Sequence, residues 1–149
     1  MFSGRFDHAI DSKGRVSIPV RFREVLQKAE HDRLFITNFI LDNEHCLELY
    51  PPDEWWRLVG RVKQKPSFER NIQLFQTFYI GGAHEVEVDR QGRILIPPKL
   101  RQFAHLDKDV TFSATTDHFQ LWDKNTLDRV LGEAIKNFAD PNFLNGLGL

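Results

Sequence analysis

One phrase occurs twice in this chain. DSKGRVSIPVRFRE runs from Asp11 to Glu24, and DRQGRILIPPKLRQ runs from Asp89 to Gln102. Asp11, Gly14, Arg15, Ile18, Pro19 and Arg23 recur 78 positions later as Asp89, Gly92, Arg93, Ile96, Pro97 and Arg101. A second pair of anchors, LELYPPDEWWRLV (Leu47–Val59) and FQLWDKNTLDRVL (Phe119–Leu131), recurs at an offset of 72, so the second copy is six residues shorter between anchors. Two copies at so long a period indicate a duplicated half-domain and not a stacked array of short repeats. A chain of 149 residues is one ordinary domain or two small halves sharing a core.

Each half has the same grammar. RFDHAI (Arg5–Ile10) and HEVEVD (His84–Asp89) alternate as strands with one buried face do. Gly14 and Gly92 follow in polar turns, where a residue without a side chain takes φ > 0 at no steric cost. RVSI and RILI then return as short β-branched runs, predicting a hairpin in each half. Pro19 and Pro97 end these strands and suit the first turn of a helix. Phe22, Val25, Leu26 and Ala29 give the first of these helices its apolar stripe, and Leu100, Phe103 and Ala104 give the second. Arg21, Arg23, Lys99 and Arg101 lie off those stripes and are expected to face water or a ligand. RLFIT with CLELY, and DVTFSA with HFQLW, predict a second strand pair in each half.

A longer helix closes each copy. The first is expected to bury Trp55, Leu58, Val59 and Val62, and the second Leu127, Val130, Leu131, Ala134, Ile135 and Phe138. Asp53 and Asp123 stand near their starts, where carboxylates meet free amide hydrogens. The division is residues 1–66 and 81–138 for the two halves, with a linking helix over 67–80 capped by Ser67. Residues 139–149 are expected as a loose tail whose Phe143 and Leu144 are free to dock on a neighbour. Four short strands and one amphipathic helix leave open edges and an uncovered apolar face. Two copies can close on each other, so the expected fold is α+β, a small pseudo-symmetric β-barrel with peripheral helices.

Charge is unevenly placed. The chain carries a net charge of −1, yet residues 11–23 and 89–101 each set four basic residues against one acid, an aspartate. Lys13, Arg15, Arg21 and Arg23 form one group, and Arg93, Lys99 and Arg101 with Arg90 form the other; the remaining body is acidic. Clusters of this kind are either solvated faces or the footprint of a polyanionic partner. The lone cysteine, Cys46, forms no internal disulfide and is expected as a small buried apolar residue. The six histidines are scattered without metal-ligand spacing, and no catalytic motif is present, so no enzyme, metal or cofactor is expected. No apolar run approaches the length of a membrane span, and the N-terminal residues do not read as a signal peptide, so a cytoplasmic location is expected.

The two D-x-x-G-R phrases, each followed by I-P and a basic amphipathic helix, resemble the swapped-hairpin unit of AbrB-type transcription factors. Two such units in one chain, with LELYPPDEWW and FQLWDKNTLD in matching places, are similar to the MraZ family over essentially Met1–Phe138. That resemblance implies a swapped-hairpin barrel, association with the nucleoid, and binding to closely spaced direct repeats in promoter DNA of the division and cell-wall gene cluster. It also implies ring-shaped homo-oligomers and no small-molecule substrate. Its D-x-x-x-R positions fall here on Asp11 with Arg15 and on Asp89 with Arg93. Arg90 departs from the first copy, which has Ser12 there, so the two copies need not bind equivalently.

Arginine suits such a role because its planar guanidinium makes paired hydrogen bonds to phosphate or to a guanine edge. Lys13, a point charge, suits phosphate. A two-stranded ribbon fits the B-DNA major groove. The expected contacts are Lys13, Arg15, Arg21, Arg23, Arg90, Arg93, Lys99 and Arg101, with Asp11, Gly14, Asp89 and Gly92 orienting the turns. The aspartates are read first as turn-formers. The competing function is an oligomeric adaptor that contacts another protein through its tail or through the exposed Trp56 region without reading DNA.

Overall fold

A computed structural model describes all residues from Met1 to Leu149. In chain order the elements are β1 (Arg5–Ala9), β2 (Arg15–Ser17), α1 (Val20–Lys28), β3 (Arg33–Leu41), β4 (Glu44–Tyr50) and α2 (Pro52–Lys63). They continue with α3 (Arg70–Phe75), a π-helical turn (Gln76–Ile80), β5 (His84–Glu87), β6 (Arg93–Leu95) and α4 (Pro98–Phe103). The chain ends with β7 (Asp109–Ala114), β8 (Phe119–Asp123), α5 (Lys124–Phe138) and α6 (Asn142–Leu147). Strand and helix types follow the sequence reading, and the class is α+β.

The strand pairing departs from that reading. β1 does not form a ladder with β2; it lies antiparallel on β7 of the other copy, Arg5 opposite Ser113 through Ala9 opposite Asp109. β5 likewise lies on β3, and β2 pairs with β6. Each copy therefore lends its N-terminal strands to its sister. β7 matches β1 over all five of its residues, while β2 is covered over its three by β6.

The result is not a closed barrel. Six strands form one open antiparallel sheet in the order β1-β7-β8-β4-β3-β5, and β2-β6 forms a separate ribbon. The halves join at the centre of the sheet, where Leu47, Glu48 and Leu49 of β4 face Leu121, Gln120 and Phe119 of β8. An approximate two-fold axis passes between Glu48 and Gln120, and again between Val16 and Ile94 in the ribbon, since those pairs are the same positions of the two copies.

The core fills the space between sheet and ribbon. Val16, Ile18, Ile94 and Ile96 point into it from the ribbon and its exits, Phe22 and Leu100 from the helices, and Leu34, Ile36, Leu47, Phe112 and Leu121 from the sheet. Phe22 packs against Phe119 at 4.7 Å between ring centroids, with Phe2 edge-on to both. Burying side chains of this size contributes about 1.5–3 kcal/mol each before the entropy of ordering is set against it. Cys46 is buried, as its composition context suggested, and burial pushes its thiol pKa up.

Helix ends and faces show further differences. Asp123 caps α5 by accepting from the amide of Thr126 at 3.0 Å. The linking helix begins after Glu69, and Ser67 makes no side-chain cap. Trp55 and Val62 of α2 are buried as expected, with Leu58 and Val59 packed at the edge of that cluster. Of the six α5 residues expected inside, only Leu127 is fully buried; Ile135 is 70% and Phe138 62% exposed. The sheet is too short to cover the last two turns of so long a helix. Residues 142–147 form α6, whose Phe143 ring meets Phe138 at 5.0 Å.

Candidate nucleic-acid interface

Each D-x-x-G-R turn is a self-contained hydrogen-bonded unit. The Asp11 carboxylate accepts from the amides of Lys13 and Arg15 through Oδ1, each at 2.9 Å, and from Arg15 Nε through Oδ2 at 2.8 Å. Asp89 repeats this with the amides of Gln91 and Arg93 and with Arg93 Nε, the last at 3.0 Å. The amides of Gly14 and Gly92 donate to the carbonyls of Asp11 and Asp89, closing the turns. Gly14 and Gly92 take φ of +85° and +76°, a region that strains residues with a side chain.

These bonds set the charge state of the aspartates. The Arg15 amide is the largest influence holding Asp11 down, to a pKa of about 2, reinforced against partial desolvation by the Arg15 side chain and the Lys13 amide. Asp89 is lowered in the same way, first by the amide of Arg93. Both turns are therefore ionised across the ordinary pH range, and each carboxylate fixes the orientation of one guanidinium.

The ribbon brings the two turns together. In the β2–β6 ladder Arg15 faces Leu95, Val16 faces Ile94 and Ser17 faces Arg93. Side chains alternate across a strand, so with Val16 and Ile94 turned into the core the outer face carries Arg15, Ser17, Arg93 and Leu95. Arg15 and Arg93 occupy its two diagonal corners. The ribbon is locked end to end, because the Ile96 amide donates to the Gly14 carbonyl at 3.0 Å and the Ile18 amide to Gly92 at 2.8 Å.

Among the sequence-predicted residues, Lys13, Arg21, Arg90 and Lys99 are exposed, and Arg15 and Arg93 are partly covered. Arg23 and Arg101, expected to face water or a ligand, are half-buried; Arg23 reaches the other copy, whereas Arg101 bonds within its own. Arg23 Nη1 donates to the Gln91 carbonyl at 3.4 Å, and Arg101 Nη2 to that of Asp107 at 3.2 Å. A Cβ built on Gly92 would lie 2.3 Å from Arg23 Cδ, and one on Gly14 would lie 3.2 Å from Arg101 Nη1. Arg23 thus lies against the turn of the other copy, where Gly92 is favoured by close approach as well as by φ, whereas at Gly14 only the mobile tip of Arg101 is near and φ decides.

Sequence reasoning missed the acidic shoulder beside this face. A cleft of about 430 Å³ contains Arg15 and Arg93 but also Glu85, Glu87 and Asp89. Arg33 pairs with Glu85 and reaches Glu87 at 3.6 Å. The charges were visible in HEVEVD, but their place beside the ribbon depends on β5 crossing to β3.

The fold and this face define a class: a duplicated α+β protein whose paired D-x-x-G-R turns form a basic ribbon. The family model described as "MraZ protein, putative antitoxin-like" matches twice, over residues 1–78 and 79–142. The transcriptional regulator MraZ of Lachnoclostridium phytofermentans is 43% identical over 140 residues, covering 94% of each chain. That of Desulforamulus reducens is 41% identical over 138 residues, 93% of this chain and 92% of the relative. That of Acetivibrio thermocellus is 41% identical over 133 residues, 89% and 88%. The chain belongs to the MraZ family.

Proposed function

We propose that this protein is a DNA-binding transcriptional regulator of the division and cell-wall gene cluster, recognising closely spaced direct repeats as a ring-shaped homo-oligomer. It works in the cytoplasm, in association with the nucleoid. The observation that carries the reading is the outer face of the ribbon, where two carboxylate-oriented arginines stand together with Lys13 and Arg90 exposed at the flanking turns. The names of the relatives, transcriptional regulators, agree with it.

Arg15 and Arg93 keep terminal N–H groups for a base edge or a phosphate while Asp11 and Asp89 hold their Nε atoms. Lys13, Arg21, Arg90 and Lys99 supply phosphate contacts around them. Arg23 and Arg101, half-buried beside the turns, add flanking backbone contacts. One ribbon reads few base pairs, so specificity comes from several chains meeting several repeats, with avidity multiplying weak contacts. Repeats about one helical turn apart, roughly 10 base pairs, present the same groove face to successive units.

The test is footprinting upstream of the protein's own gene, with Arg15→Ala as control. Protection at spaced direct repeats is expected, steepening in salt dependence as counterions are released. Arg15→Ala is expected to weaken binding by about 1–3 kcal/mol per site, the worth of one bidentate contact, while the oligomer survives. Normal gel shifts with the variant, or anisotropy titrations flat between low and moderate salt, exclude this face.

A further inference from the structure

A half-buried charge is normally paired, yet Arg23 makes no ion pair. Its one bond runs from Nη1 to the Gln91 carbonyl at a long 3.4 Å, and its Nε is buried with no partner. Arg15 and Arg93 differ in this respect, since an aspartate holds the Nε of each. The unanswered charge acts on its surroundings: burial first, and Arg23 second, hold the pKa of His8 below its ordinary 6.5. A guanidinium drawn out of water without a counter-charge costs free energy that a bound anion recovers.

Arg23 lines a cleft of about 60 Å³ between the two copies. Leu26 and His31 come to it from the first copy, Val88 and Gly92 from the second, and the exposed Arg90 adds another cation that makes no ion pair. Asp89 also lines it, but both of its oxygens are engaged by its own turn. The volume equals roughly two water molecules at ~30 Å³ each, so it admits one oxyanion group and leaves outside whatever that group is attached to. Guanidinium forks match phosphate oxygens, and two cations favour a doubly charged phosphate over a carboxylate. The first turn lacks this arrangement. Arg101, the counterpart of Arg23, spends Nε on the Leu106 carbonyl and Nη2 on that of Asp107, and Ser12 stands where the second copy has Arg90.

We propose that Arg23 and Arg90, one from each copy, hold a single phosphate group in this cleft, and that the first turn holds none. The group is either free phosphate or a phosphate of nucleic acid, which present the same oxygens. It binds in the absence of DNA, so the site does not depend on promoter recognition. Once bound, it ties α1 of the first copy to the turn of the second.

Inorganic phosphate titrated into isotope-labelled full-length protein at constant ionic strength, followed by NMR, tests it. The Arg23 Nε–H, sheltered by burial, and the Gly92 amide are expected to shift and saturate while the Gly14 amide stays still. Arg90→Gln and Arg23→Gln are each expected to raise the Kd for phosphate at least about tenfold. Lys28→Gln, which removes an exposed cation of the same helix, is expected to leave it unchanged. Arg90 is exposed, so Arg90→Gln decides the matter if Arg23→Gln unfolds. A duplex from upstream of the gene, added to the phosphate-bound protein, separates the two sources. Release of phosphate marks the cleft as the seat of a DNA phosphate, and retention marks it as a site for free phosphate. Shifts that never saturate, equal shifts at both turns, or an unchanged Kd in Arg90→Gln overturn the site. A protein that takes phosphate in this way but binds no DNA overturns the regulatory reading alone.

Discussion

The two D-x-x-G-R turns are built alike, whereas the two strands that meet at the centre of the sheet are not. In the turns, aspartate, glycine and arginine recur with the same hydrogen bonds to within 0.2 Å. On the same approximate axis, Glu48 of one copy faces Gln120 of the other. Glu48 accepts from Gln120 Nε2 at 2.8 Å, from His118 Nε2 at 2.9 Å and from the Tyr79 hydroxyl. Gln120 Oε1 in turn accepts from Trp122 Nε1 at 3.0 Å. A position that meets its own duplicate across a two-fold cannot be an ionised carboxylate in both copies without a large repulsive cost. The turns keep the same chemistry because each bonds within itself, whereas Glu48 and Gln120 differ because each is the other's buried partner.

Gln120→Glu tests that divergence most severely. Restoring the symmetric residue places two buried carboxylates face to face, with an expected loss of about 3–5 kcal/mol at neutral pH. One carboxyl then takes up a proton with a raised pKa, so the loss must shrink as the pH falls. Urea unfolding at several pH values measures it; a variant as stable as wild type at neutral pH breaks the comparison.

The glycines come next. Gly14→Ala pays for a left-handed backbone, about 1–2 kcal/mol. Gly92→Ala adds displacement of the Arg23 side chain, whose Cδ lies within 2.3 Å of the new Cβ, for about 1–3 kcal/mol more. Chemical denaturation should rank Gly92→Ala below Gly14→Ala. Equal losses would mean that Arg23 swings away freely and does not brace the second turn.

DNA binding sharpens the comparison at the surface. Glu85 and Glu87 of the second copy line the cleft that holds both arginines, and the first copy has Asp7 and Ala9 at those positions. Arg15→Ala and Arg93→Ala are therefore each expected to weaken promoter binding, with losses within about tenfold, or 1.4 kcal/mol, of each other. Anisotropy titrations at one fixed salt concentration measure both losses.

The smallest effects are in the pH dependence of folding. Asp11 has a folded pKa of about 2, below its ordinary value of 3.8, so its contribution is present above 3.8 and disappears as the pH falls toward 2. Asp11→Asn should flatten that acid limb. His118 works in the opposite sense. Burial disfavours its charged form, but hydrogen bonds and charge from Glu48 and Asp117 outweigh that and raise its pKa above 6.5. Its contribution is full below 6.5 and is lost as the pH rises through the raised value. Thermal unfolding of His118→Gln should differ most from wild type under mildly acidic conditions and converge at higher pH.

The sequence alone determined the local units. Asp11, Gly14 and Arg15 lie within five residues, so their bonds need no distant partner, and the same pattern recurs at Asp89. Strand identities, the α5 cap at Asp123 and the burial of Cys46 were legible for the same reason: periodicity and capping act over one or two turns. Tertiary structure decided which strand paired with which. β1 lies on β7 of the other copy and not on its own neighbour, and no local signal records that. It also decided that Arg23 reaches the Gln91 carbonyl of the other copy while Arg101 bonds to Asp107 of its own, that Glu85 and Glu87 stand beside the ribbon, and that Ile135 and Phe138 stay uncovered. Helical spacing marks an apolar face, but only the reach of the sheet beneath determines how much of it is buried.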